Sequence, residues 1–395
     1  MRVLVLGADG YLGWPTAMHF AAAGDEVWGA DNFAKRRWEL EEGIEPLAPV
    51  PPLHARVKRW NELSPQNIEL RVGDLTNHRF VYGLFEQAKP DAIVHYAEQP
   101  SAPYSMQSRD TAVRTQTNNI VGTLNVLFAI QSQCPDAHLI KLGTMGEYGT
   151  PNIDIEEGYL TVTHKGRTDT VMYPKKPGSF YHLSKVHDSH NIEFACRIWG
   201  LRATDLNQGA VYGIDTDHTV LDPTLRTSFH YDDVFGTVLN RFVVQAVIGE
   251  PLTIYGKGGQ TRGFLNIRDT LQCVELAARH QAEEGEFRVF NQFTEQFSVL
   301  ELANRVKECG DRHGLSVSIK HLENPRVELE QHYYNAAHSK LTDLGLQPNL
   351  LTEDVLSSMI EAVQENKNNI NPDLIQPRIK WALKDRQMAD SVDQF

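Results

Sequence analysis

The chain begins with a short apolar run, Arg2–Leu6, that leads directly into three glycines spaced three residues apart, Gly7, Gly10 and Gly13. This order predicts a strand, a tight turn and a helix, with backbone close enough to bind a pyrophosphate. Asp31 ends the next apolar run, roughly 20 residues later, where a carboxylate accepts hydrogen bonds from ribose hydroxyls and repels a 2′-phosphate. The sequence therefore predicts a dinucleotide site that favours NAD over NADP.

Other residues are expected to complete this cofactor site. The basic run Lys35–Arg37 lies close to Asp31 and counts against the preference for NAD over NADP. Alternatively, it suits the cofactor's phosphates or the edge of the adenine. Asp74 is predicted to accept from the adenine amino group, although an aspartate after a glycine is also an ordinary turn residue. The predicted cofactor-binding residues are Gly7, Asp9, Gly10, Tyr11, Leu12, Gly13, Asp31, Asn32, Arg36, Asp74, Leu75, Asn118, Tyr181 and Lys185.

Short apolar runs alternate with helical stretches through the first two-thirds of the chain, which indicates a parallel sheet covered on both faces. The predicted strands are Arg2–Leu6, Glu26–Asp31, Ile68–Val72, Ala92–His95, His138–Leu142 and Arg202–Asn207. The predicted helices are Gly13–Ala23, Arg79–Gln87, Asn118–Gln133 and Tyr181–Trp199. The fold class is α/β, a Rossmann-type doubly wound parallel sheet with a smaller C-terminal α/β substrate domain.

The 395 residues are enough for two lobes. We expect a Rossmann domain over residues 1–212, with insertions at about 35–66 and 151–179. Residues 213–395 are expected to form mainly a substrate domain, with about 236–275 crossing back to the first. The second insertion alternates in the manner of a β-hairpin, and either a lid over the substrate or a surface contact suits it.

Tyr181 and Lys185 stand four residues apart, about 35 residues after Thr144. Positions i and i+4 share one face of a helix, so the ammonium is expected beside the phenol. A fixed positive charge favours the phenolate and lowers the tyrosine pKa toward neutrality. Such a base takes a hydroxyl proton while hydride leaves the adjacent carbon for a nicotinamide, so the sequence predicts a redox enzyme.

Composition and residue spacing argue against several other classes of protein and kinds of site. The net charge of −13 argues against a nucleic-acid or anionic-membrane surface. No apolar run reaches the ~18 residues of a membrane span, and Met1 leads straight into the first strand, so a cytoplasmic enzyme is expected. The four cysteines show no Cys-x-x-Cys pair and suit reduced thiols. His182, His187 and His190 lack the spacing of a helical zinc site, and no metal is expected.

Motifs over nearly the whole chain resemble the extended short-chain dehydrogenase/reductase family that acts on nucleotide sugars. They are Gly7-x-x-Gly10-x-x-Gly13, Asp74-Leu75, Asn119-x-x-Gly122-Thr123, Thr144, Tyr181-x-x-x-Lys185 and Asn207-x-x-x-Val211-Tyr212-Gly213. Longer blocks, such as KLGTMGEYGTPNIDIEEGY and YGKGGQTRGFLNIRDT, most closely resemble the UDP-sulfoquinovose synthases of that family. The resemblance implies an NAD-dependent enzyme that forms a carbon–sulfur bond between UDP-glucose and sulfite, for sulfolipid or sulfosugar biosynthesis, with NAD held tightly and recycled.

The resemblance also implies a sequence of steps: oxidation at C4, loss of water across C5 and C6, addition of sulfite at C6, and return of hydride to C4. Thr144 would bond the C4 oxygen and share its proton with Tyr181. Lys185 would hold the nicotinamide ribose and the phenolate. An ordinary strand threonine bonded to backbone is the alternative interpretation of Thr144.

The two residues after Thr144 differ from those that relatives of the same fold carry at these positions. Hexose 4,6-dehydratases carry Asp-Glu after this threonine, whereas Met145 and Gly146 stand here. Glu147 and His182 are therefore the candidates that take the C5 proton or protonate the leaving C6 hydroxyl. Glu147 reaches the sugar only if the strand has already ended, because adjacent strand residues face opposite ways. His182 could equally face the core.

Substrate binding is assigned partly by the resemblance. Asn207 looks like the family's diphosphate contact, Arg262 and Arg326 suit bidentate phosphate recognition, and Tyr255 and Gln260 suit the uridine. A surface ion pair is the alternative for each arginine. The predicted substrate-binding residues are Gln99, Ser101, Tyr104, Thr144, Asn207, Gln208, Tyr255, Gln260, Arg262, Arg326 and Glu328.

One residue departs from the family pattern, because Pro100 stands where the resemblance leads us to expect an arginine. That change puts the handling of the sulfur donor in question. The alternatives are a UDP-glucose 4-epimerase or another nucleotide-sugar dehydratase, and, in a different class, a non-catalytic NAD-sensing regulator. The amphipathic stretches Val113–Gln133 and Tyr181–Trp199 suit a homodimer seam. Sulfite could enter free or from a sulfite-donating partner protein.

Overall fold

A computed structural model describes residues 1–325, 333–379 and 381 of the chain. Its strands are β1 (Arg2–Leu6), β2 (Glu26–Asp31), β3 (Ile68–Val72), β4 (Ala92–His95), β5 (His138–Thr144), β6 (Tyr159–His164), β7 (Arg167–Met172), β8 (Arg202–Gln208), β9 (Ala210–Tyr212), β10 (Leu252–Tyr255), β11 (Thr261–Asn266), β12 (Phe287–Gln292), β13 (Glu295–Ser298) and β14 (Ile319–Leu322).

The α-helices of the described residues are α1 (Gly13–Ala22), α2 (Ala34–Glu42), α3 (Leu53–Leu63), α4 (His78–Ala88), α5 (Ala102–Ser105), α6 (Arg109–Gln116), α7 (Gly122–Gln133), α8 (Phe180–Trp199), α9 (Val238–Ile248), α10 (Ile267–Arg279), α11 (Val299–Arg312), α12 (Lys340–Asp343) and α13 (Glu353–Glu365). A π-helical turn, Thr117–Val121, joins α6 to α7. None of these helices combines the length and the apolarity needed to cross a bilayer.

A parallel sheet organises the fold, with strand order β12-β8-β5-β4-β1-β2-β3. The order reverses between β1 and β4, and this is where ligands bind in open α/β sheets. All six predicted strands are present, and the Rossmann-type fold class is confirmed. Strand β5 runs two residues past its predicted end, to Thr144, and β8 one residue past, to Gln208.

Apolar side chains cover both faces of this sheet. Helices α1, α3 and α10 contribute Trp14, Trp60 and Val274 to one core, and helices α4, α7 and α8 contribute Phe85, Val126 and Ile192 to the other. The strands are therefore buried on both sides, which is why their sequences read as nearly continuous apolar runs.

A second lobe has its own core. Helices α9, α11 and α13 supply Phe242, Leu302 and Ile360 to it. Two small sheets, β13-β11-β9 and β10-β14, belong to this part of the chain. The chain returns to the first lobe through α10 and β12, and β12 pairs with β8 at the edge of the main sheet. The predicted crossing segment, 236–275, overlaps this return only in its last part, because α9 packs in the second lobe.

The insertion at 151–179 contains the predicted hairpin. Strands β6 and β7 pair antiparallel from Tyr159 opposite Met172 to His164 opposite Arg167. Their side chains are almost all exposed. The two ends of the insertion, rather than the hairpin itself, line the central cleft, so the predicted lid corresponds to these ends alone.

Candidate active site

A cleft of about 1720 Å³ opens along the carboxyl ends of β1, β2, β4, β5 and β8. Small-molecule sites typically measure ~300–1,000 Å³. The cleft is therefore large enough for a dinucleotide and a second ligand side by side. It is bordered by the glycine loop on one side and by residues of the second lobe, such as Arg262 and Phe264, on the other.

The glycine loop is packed too tightly for any side chain. Gly7 has a φ of +85°, and a Cβ atom there would lie 2.8 Å from the backbone nitrogen of Ala97. A Cβ atom on Gly13 would lie 2.0 Å from the carbonyl oxygen of Gly7. These contacts explain the spacing of the three glycines, and they bring bare backbone to the cleft where a pyrophosphate would approach.

Asp31 lies at the end of β2 and faces this loop. Its carboxylate accepts from the backbone N–H of Asp9 at 2.8 Å and of Phe33 at 2.7 Å. Burial is the largest influence on Asp31 and raises its pKa to about 6. A carboxylate has about four acceptor positions, so Asp31 retains capacity for two ribose hydroxyls. The residues present thus fit NAD.

Two arginines hold the same loop from the first insertion. Asp9 accepts from Arg36 Nε at 2.5 Å and from Arg56 Nη2 at 2.5 Å. Arg36 also donates to the carbonyls of Val50 and Pro51 at 3.0 Å each. Arg36 therefore positions the loop, in addition to lining the cleft. Arg56 is fully buried, and sequence reasoning missed it because nothing local separates it from its basic neighbours.

Most predicted cofactor residues line the cleft. Those that do are Gly7, Asp9, Gly10, Tyr11, Leu12, Gly13, Asp31, Asn32, Arg36, Leu75, Asn118 and Tyr181. Asp74 borders a smaller adjoining depression, together with Asn32 and Asn118. Its carboxylate accepts from Asn32 Nδ2 at 2.8 Å and from Thr76 Oγ1 at 2.7 Å.

Tyr181 and Lys185 lie on the first turns of α8, where the Ser179 side chain accepts from the His182 N–H and caps the helix. Lys185 Nζ lies 2.7 Å from Glu98 Oε2, donates to the Leu142 carbonyl at 2.6 Å, and is 5.9 Å from the centre of the Tyr181 ring. Its charge is therefore neutralised by a buried carboxylate.

The structure corrects the expected acidity of Tyr181. Burial raises the pKa of the Tyr181 phenol, the charges of Glu98 and Glu147 raise it further, and Lys141 and Thr144 act in the opposite direction. The prediction that Lys185 lowers this pKa toward neutrality is wrong for the structure, chiefly because the phenol is buried.

Thr144, Met145 and His182 meet at the end of β5. Thr144 ends the strand, and its hydroxyl accepts from the Gly146 N–H at 3.1 Å, which caps a short turn over Met145–Glu147. His182 packs onto that turn, since a Cβ atom on Gly146 would lie 2.3 Å from His182 Nε2. Thr144, Met145, Tyr181 and His182 all line the cleft.

Glu147 does not join them, although the strand has indeed ended before it. Its carboxylate lies 3.2 Å from Lys141 Nζ and 2.5 Å from Lys175 Nζ, and accepts from Ser189 Oγ at 3.0 Å. The side chain is fully buried and outside the cleft lining. Burial alone would raise its pKa, but the two lysines lower it to about 2. The expectation that Glu147 reaches the sugar is therefore corrected. Its buried carboxylate has a structural role, as the partner of two lysines.

Four of the predicted substrate-binding residues line the cleft, namely Ser101, Thr144, Gln208 and Arg262. Ser101 also caps α5 and donates to the Val234 carbonyl at 2.5 Å. Gln208 donates to Gln292 Oε1 at 3.1 Å. Arg326 and Glu328 lie outside the described residues.

Three other predicted substrate-binding residues lie outside the cleft lining and make polar contacts within the protein. Gln99 is buried against Asn119, whose Oδ1 accepts from the Gln99 N–H at 2.8 Å. The Tyr104 hydroxyl accepts from Arg114 at 3.0 Å. Asn207 donates to the Tyr148 hydroxyl at 2.8 Å.

The predicted uridine contacts are likewise engaged within the second lobe. The Tyr255 hydroxyl accepts from Arg241 at 2.8 Å, and Gln260 donates to the Tyr255 carbonyl at 3.2 Å. Gln99, Tyr104, Asn207, Tyr255 and Gln260 are therefore not among the residues that line the cleft in this structure, and their substrate contacts stay predictions.

Several cleft residues were not predicted. They are Glu98, which follows β4, and Glu39, His230 and Phe235, which line the outer cleft as one group with Lys35 of the predicted basic run. In that group His230 Nε2 lies 2.9 Å from Glu39 Oε1, and Lys35 Nζ stands 4.5 Å from the centre of the Phe235 ring. Glu98 could have been suspected from its place beside Gln99. The described residues include no group of three or more His, Cys, Asp or Glu that could hold a metal ion.

Comparison with known proteins agrees with this geometry. The model of the NAD dependent epimerase/dehydratase family matches residues 3–291. The chain belongs to this family. Its members depend on NAD, which is the cofactor that the glycine loop and Asp31 fit.

Two relatives indicate which branch of the family this chain most resembles. The chain is 54% identical over 380 residues to a UDP-sulfoquinovose synthase, chloroplastic, of Spinacia oleracea, covering 96% of this chain and 79% of that one. It is 44% identical over 384 residues to a UDP-sulfoquinovose synthase of Sulfolobus acidocaldarius, covering 96% and 98%. The resemblance to this branch of the family is thereby confirmed.

Solved structures agree on the fold. A UDP-glucose 4-epimerase of Thermotoga maritima, crystallised with UDP-glucose, superposes with a TM-score of 0.67 at 20% identity, covering 94% of this chain and 100% of that one. A UDP-glucuronic acid 4-epimerase of Bacillus cereus, in complex with UDP-glucuronic acid and NAD, gives 0.67 at 22% identity, covering 92% and 99%. At these identities the likeness concerns the fold alone.

The structural role of Glu147 predicts a loss of stability in Glu147→Gln. Removing this charge leaves Asp205 as the one carboxylate paired with Lys141 and takes the carboxylate partner from Lys175, so we expect the free energy of unfolding to fall by roughly 3–5 kcal/mol at neutral pH. The folded-state pKa lies near 2 against 4.5 for a free glutamate. The stabilisation is therefore present above pH 4.5 and is lost as pH falls toward 2.

Denaturant unfolding at several pH values measures both effects. Glu193→Gln is the matched control, because Glu193 forms an i, i+4 surface pair with Arg197 at 2.9 Å on the same helix. That change should cost less than about 0.5 kcal/mol. Equal stability of the Glu147 variant and the wild type would contradict the structural role.

Proposed function

We propose that this protein is a UDP-sulfoquinovose synthase, which converts UDP-glucose and sulfite to UDP-sulfoquinovose with recycled NAD. The observation that carries the proposal is the placement of Tyr181 and Thr144 together with the glycine loop in the lining of one cleft. The two relatives of that name, which match over nearly the whole chain, support the choice of substrate. The product would be a sulfonated sugar nucleotide that serves sulfolipid or sulfosugar synthesis.

Tyr181 would act as the base in the first step. It takes the proton of the C4 hydroxyl while Thr144 bonds the same oxygen, so that the C4–H bond breaks and the carbon becomes a ketone. NAD, when bound, serves as the reversible hydride acceptor at C4. The new ketone makes the neighbouring C5 proton acidic.

His182 would carry the elimination. It is a side chain able to exchange protons, it lines the cleft, and it lies beside the Thr144–Gly146 turn. Its imidazole takes the C5 proton and delivers a proton to the C6 hydroxyl, so that the C6–O bond breaks and water leaves. Met145 and Gly146 stand where the hexose 4,6-dehydratases carry Asp and Glu, and neither has a carboxylate that could transfer these protons.

Sulfite would then complete the cycle. The sulfur lone pair of hydrogensulfite attacks C6 of the 4-keto-5,6-ene and forms the carbon–sulfur bond, and the proton that hydrogensulfite loses passes through His182 to C5. Tyr181 returns its proton to the C4 oxygen as hydride returns to C4. Arg262 and Gln208, which line the cleft opposite the glycine loop, would hold the UDP group, because a guanidinium pairs well with phosphate oxygens.

A homodimer would cover an apolar strip on helices α7 and α8. Phe128, Phe194 and Ile198 are 45%, 48% and 54% exposed, and both phenylalanine rings contact Trp199. Exposed apolar side chains that cluster in this way mark an interaction surface. Light scattering should report twice the chain mass for the wild type, and a lower mass for Phe194→Glu. A wild-type monomer would contradict the proposal.

Mass spectrometry of the products from UDP-glucose, with and without sulfite, tests the function. We expect a sulfonated UDP-sugar only when sulfite is present. Tyr181→Phe should lower its formation by ~10²–10⁴-fold or more, because it keeps the ring and removes the base. UDP-galactose formed without sulfite would select a 4-epimerase instead. No turnover, with NAD bound, would select a regulator.

Pro100 generates a separate prediction about sulfite. It is exposed and lines the cleft next to Ser101. A positive charge near a partly desolvated dianion contributes ~1–3 kcal/mol, so Pro100→Arg should lower the sulfite KM roughly tenfold and leave the UDP-glucose KM nearly unchanged. Pro100→Gln is the matched control for loosening of the loop. Equal sulfite KM values in both variants would place the anion elsewhere in the cleft.

A further inference from the structure

The carboxylate of Glu98 is the nearest partner of the lysine that accompanies the catalytic tyrosine. It follows β4 and approaches α8 from across the strand ends. The Glu98 and Lys185 side chains are 2% and 4% exposed, and they meet at 2.7 Å. Two buried, opposite charges at this distance hold each other firmly, since water does not screen them.

The lysine is therefore not a freely acting positive charge. Its ammonium forms an ion pair with Glu98 Oε2 at 2.7 Å and donates one hydrogen bond to the Leu142 carbonyl at 2.6 Å. An ammonium has three N–H groups, so Lys185 can also donate to a ribose hydroxyl or to the phenol. Glu98 thus sets both the direction of Lys185 and the net charge next to Tyr181.

We propose that Glu98 is a positioning residue that acts through Lys185 to set the pH at which Tyr181 accepts a proton. This inference rests on the proposed function, in which Tyr181 is the base for C4 oxidation. The Glu98–Lys185 pair differs in its effect from the Tyr181–Lys185 pair. The lysine charge alone would favour the phenolate, and the Glu98 charge opposes that effect.

Every element packed around Tyr181 contributes a charge that bears on this role. Strand β5 contributes Lys141, the turn after it contributes Glu147, and the loop after β4 contributes Glu98. Asp205 on β8 and Lys175 before α8 engage Lys141 and Glu147 respectively. These partners balance one another at a distance from the phenol, whereas Glu98 holds the lysine that lies against the ring.

Two further groups on α8 face the same region. The His182 ring lies tilted against the Tyr181 ring, with the two ring centres 5.1 Å apart. Asp188 is fully buried one turn beyond Lys185, and burial together with the Glu98 charge raises its pKa well above the usual range. Glu98 is the carboxylate that contacts the Lys185 ammonium, at 2.7 Å.

Glu98→Gln tests the proposal, since glutamine keeps the shape and a hydrogen-bond acceptor but removes the charge. The holoenzyme is mixed with UDP-glucose in the absence of sulfite, and the absorbance of the reduced nicotinamide is followed in a single turnover across pH. Removing a negative charge favours the phenolate. The midpoint of the pH–rate curve should therefore move to lower pH by about one unit, which is roughly a tenfold faster reaction below the wild-type midpoint.

Glu98→Asp is the matched control, because it keeps the charge and should keep the midpoint. A variant that only perturbs packing would lower the rate at every pH without moving the midpoint, and this result for Glu98→Gln would overturn the proposal. Should Glu98→Gln fail to fold, Glu98→Ser removes the same charge and must show the same shift. Failure of the wild type to reduce its nicotinamide with UDP-glucose would instead contradict the proposed function.

Discussion

Charges buried behind the carboxyl end of β5 must be paired, and this requirement shapes the whole catalytic region. Lys141 is fully buried, and it lies within 3.2 Å of Glu147 and 3.1 Å of Asp205. Lys175 adds a second contact to Glu147. An unpaired ion at such a depth would cost several kcal/mol. The cluster therefore links β5, β8, α8 and the end of the 151–179 insertion into one unit that supports Thr144 and Tyr181.

The need to pair buried charges also distinguishes two acidic residues near the proposed substrate site, Glu147 and Glu98. A carboxylate already engaged by two buried lysines, as Glu147 is, has a lowered pKa and does not serve as an acid. Glu98 is engaged by one lysine and still borders the cleft. In the proposed mechanism, proton transfer to and from the sugar falls to the Tyr181 phenol and the His182 imidazole, both of which line the cleft.

Much of the fold could be predicted from the sequence because it depends on local signals. The apolar runs locate six of the strands in the main sheet, and the alternating stretch after Pro151 locates the hairpin. Strand β12 was not predicted, because its sequence is partly polar and it joins the sheet only after the chain has built most of the second lobe. The predicted helix Asn118–Gln133 begins with a π-helical turn, a local distortion that apolar periodicity does not reveal.

The sequence by itself determined the glycine loop, the acidic end of β2, the positions of six strands and the tyrosine–lysine pair, because each depends on residues close together in the chain. Only the tertiary structure decided which polar side chains face the cleft. Glu147 turns away to meet Lys175, and Asn207 turns to meet Tyr148. Glu98 meets Lys185, which lies 87 positions later in the sequence. Such pairings arise where distant segments pack, since buried charge and hydrogen-bonding groups take whichever partners the fold brings within reach.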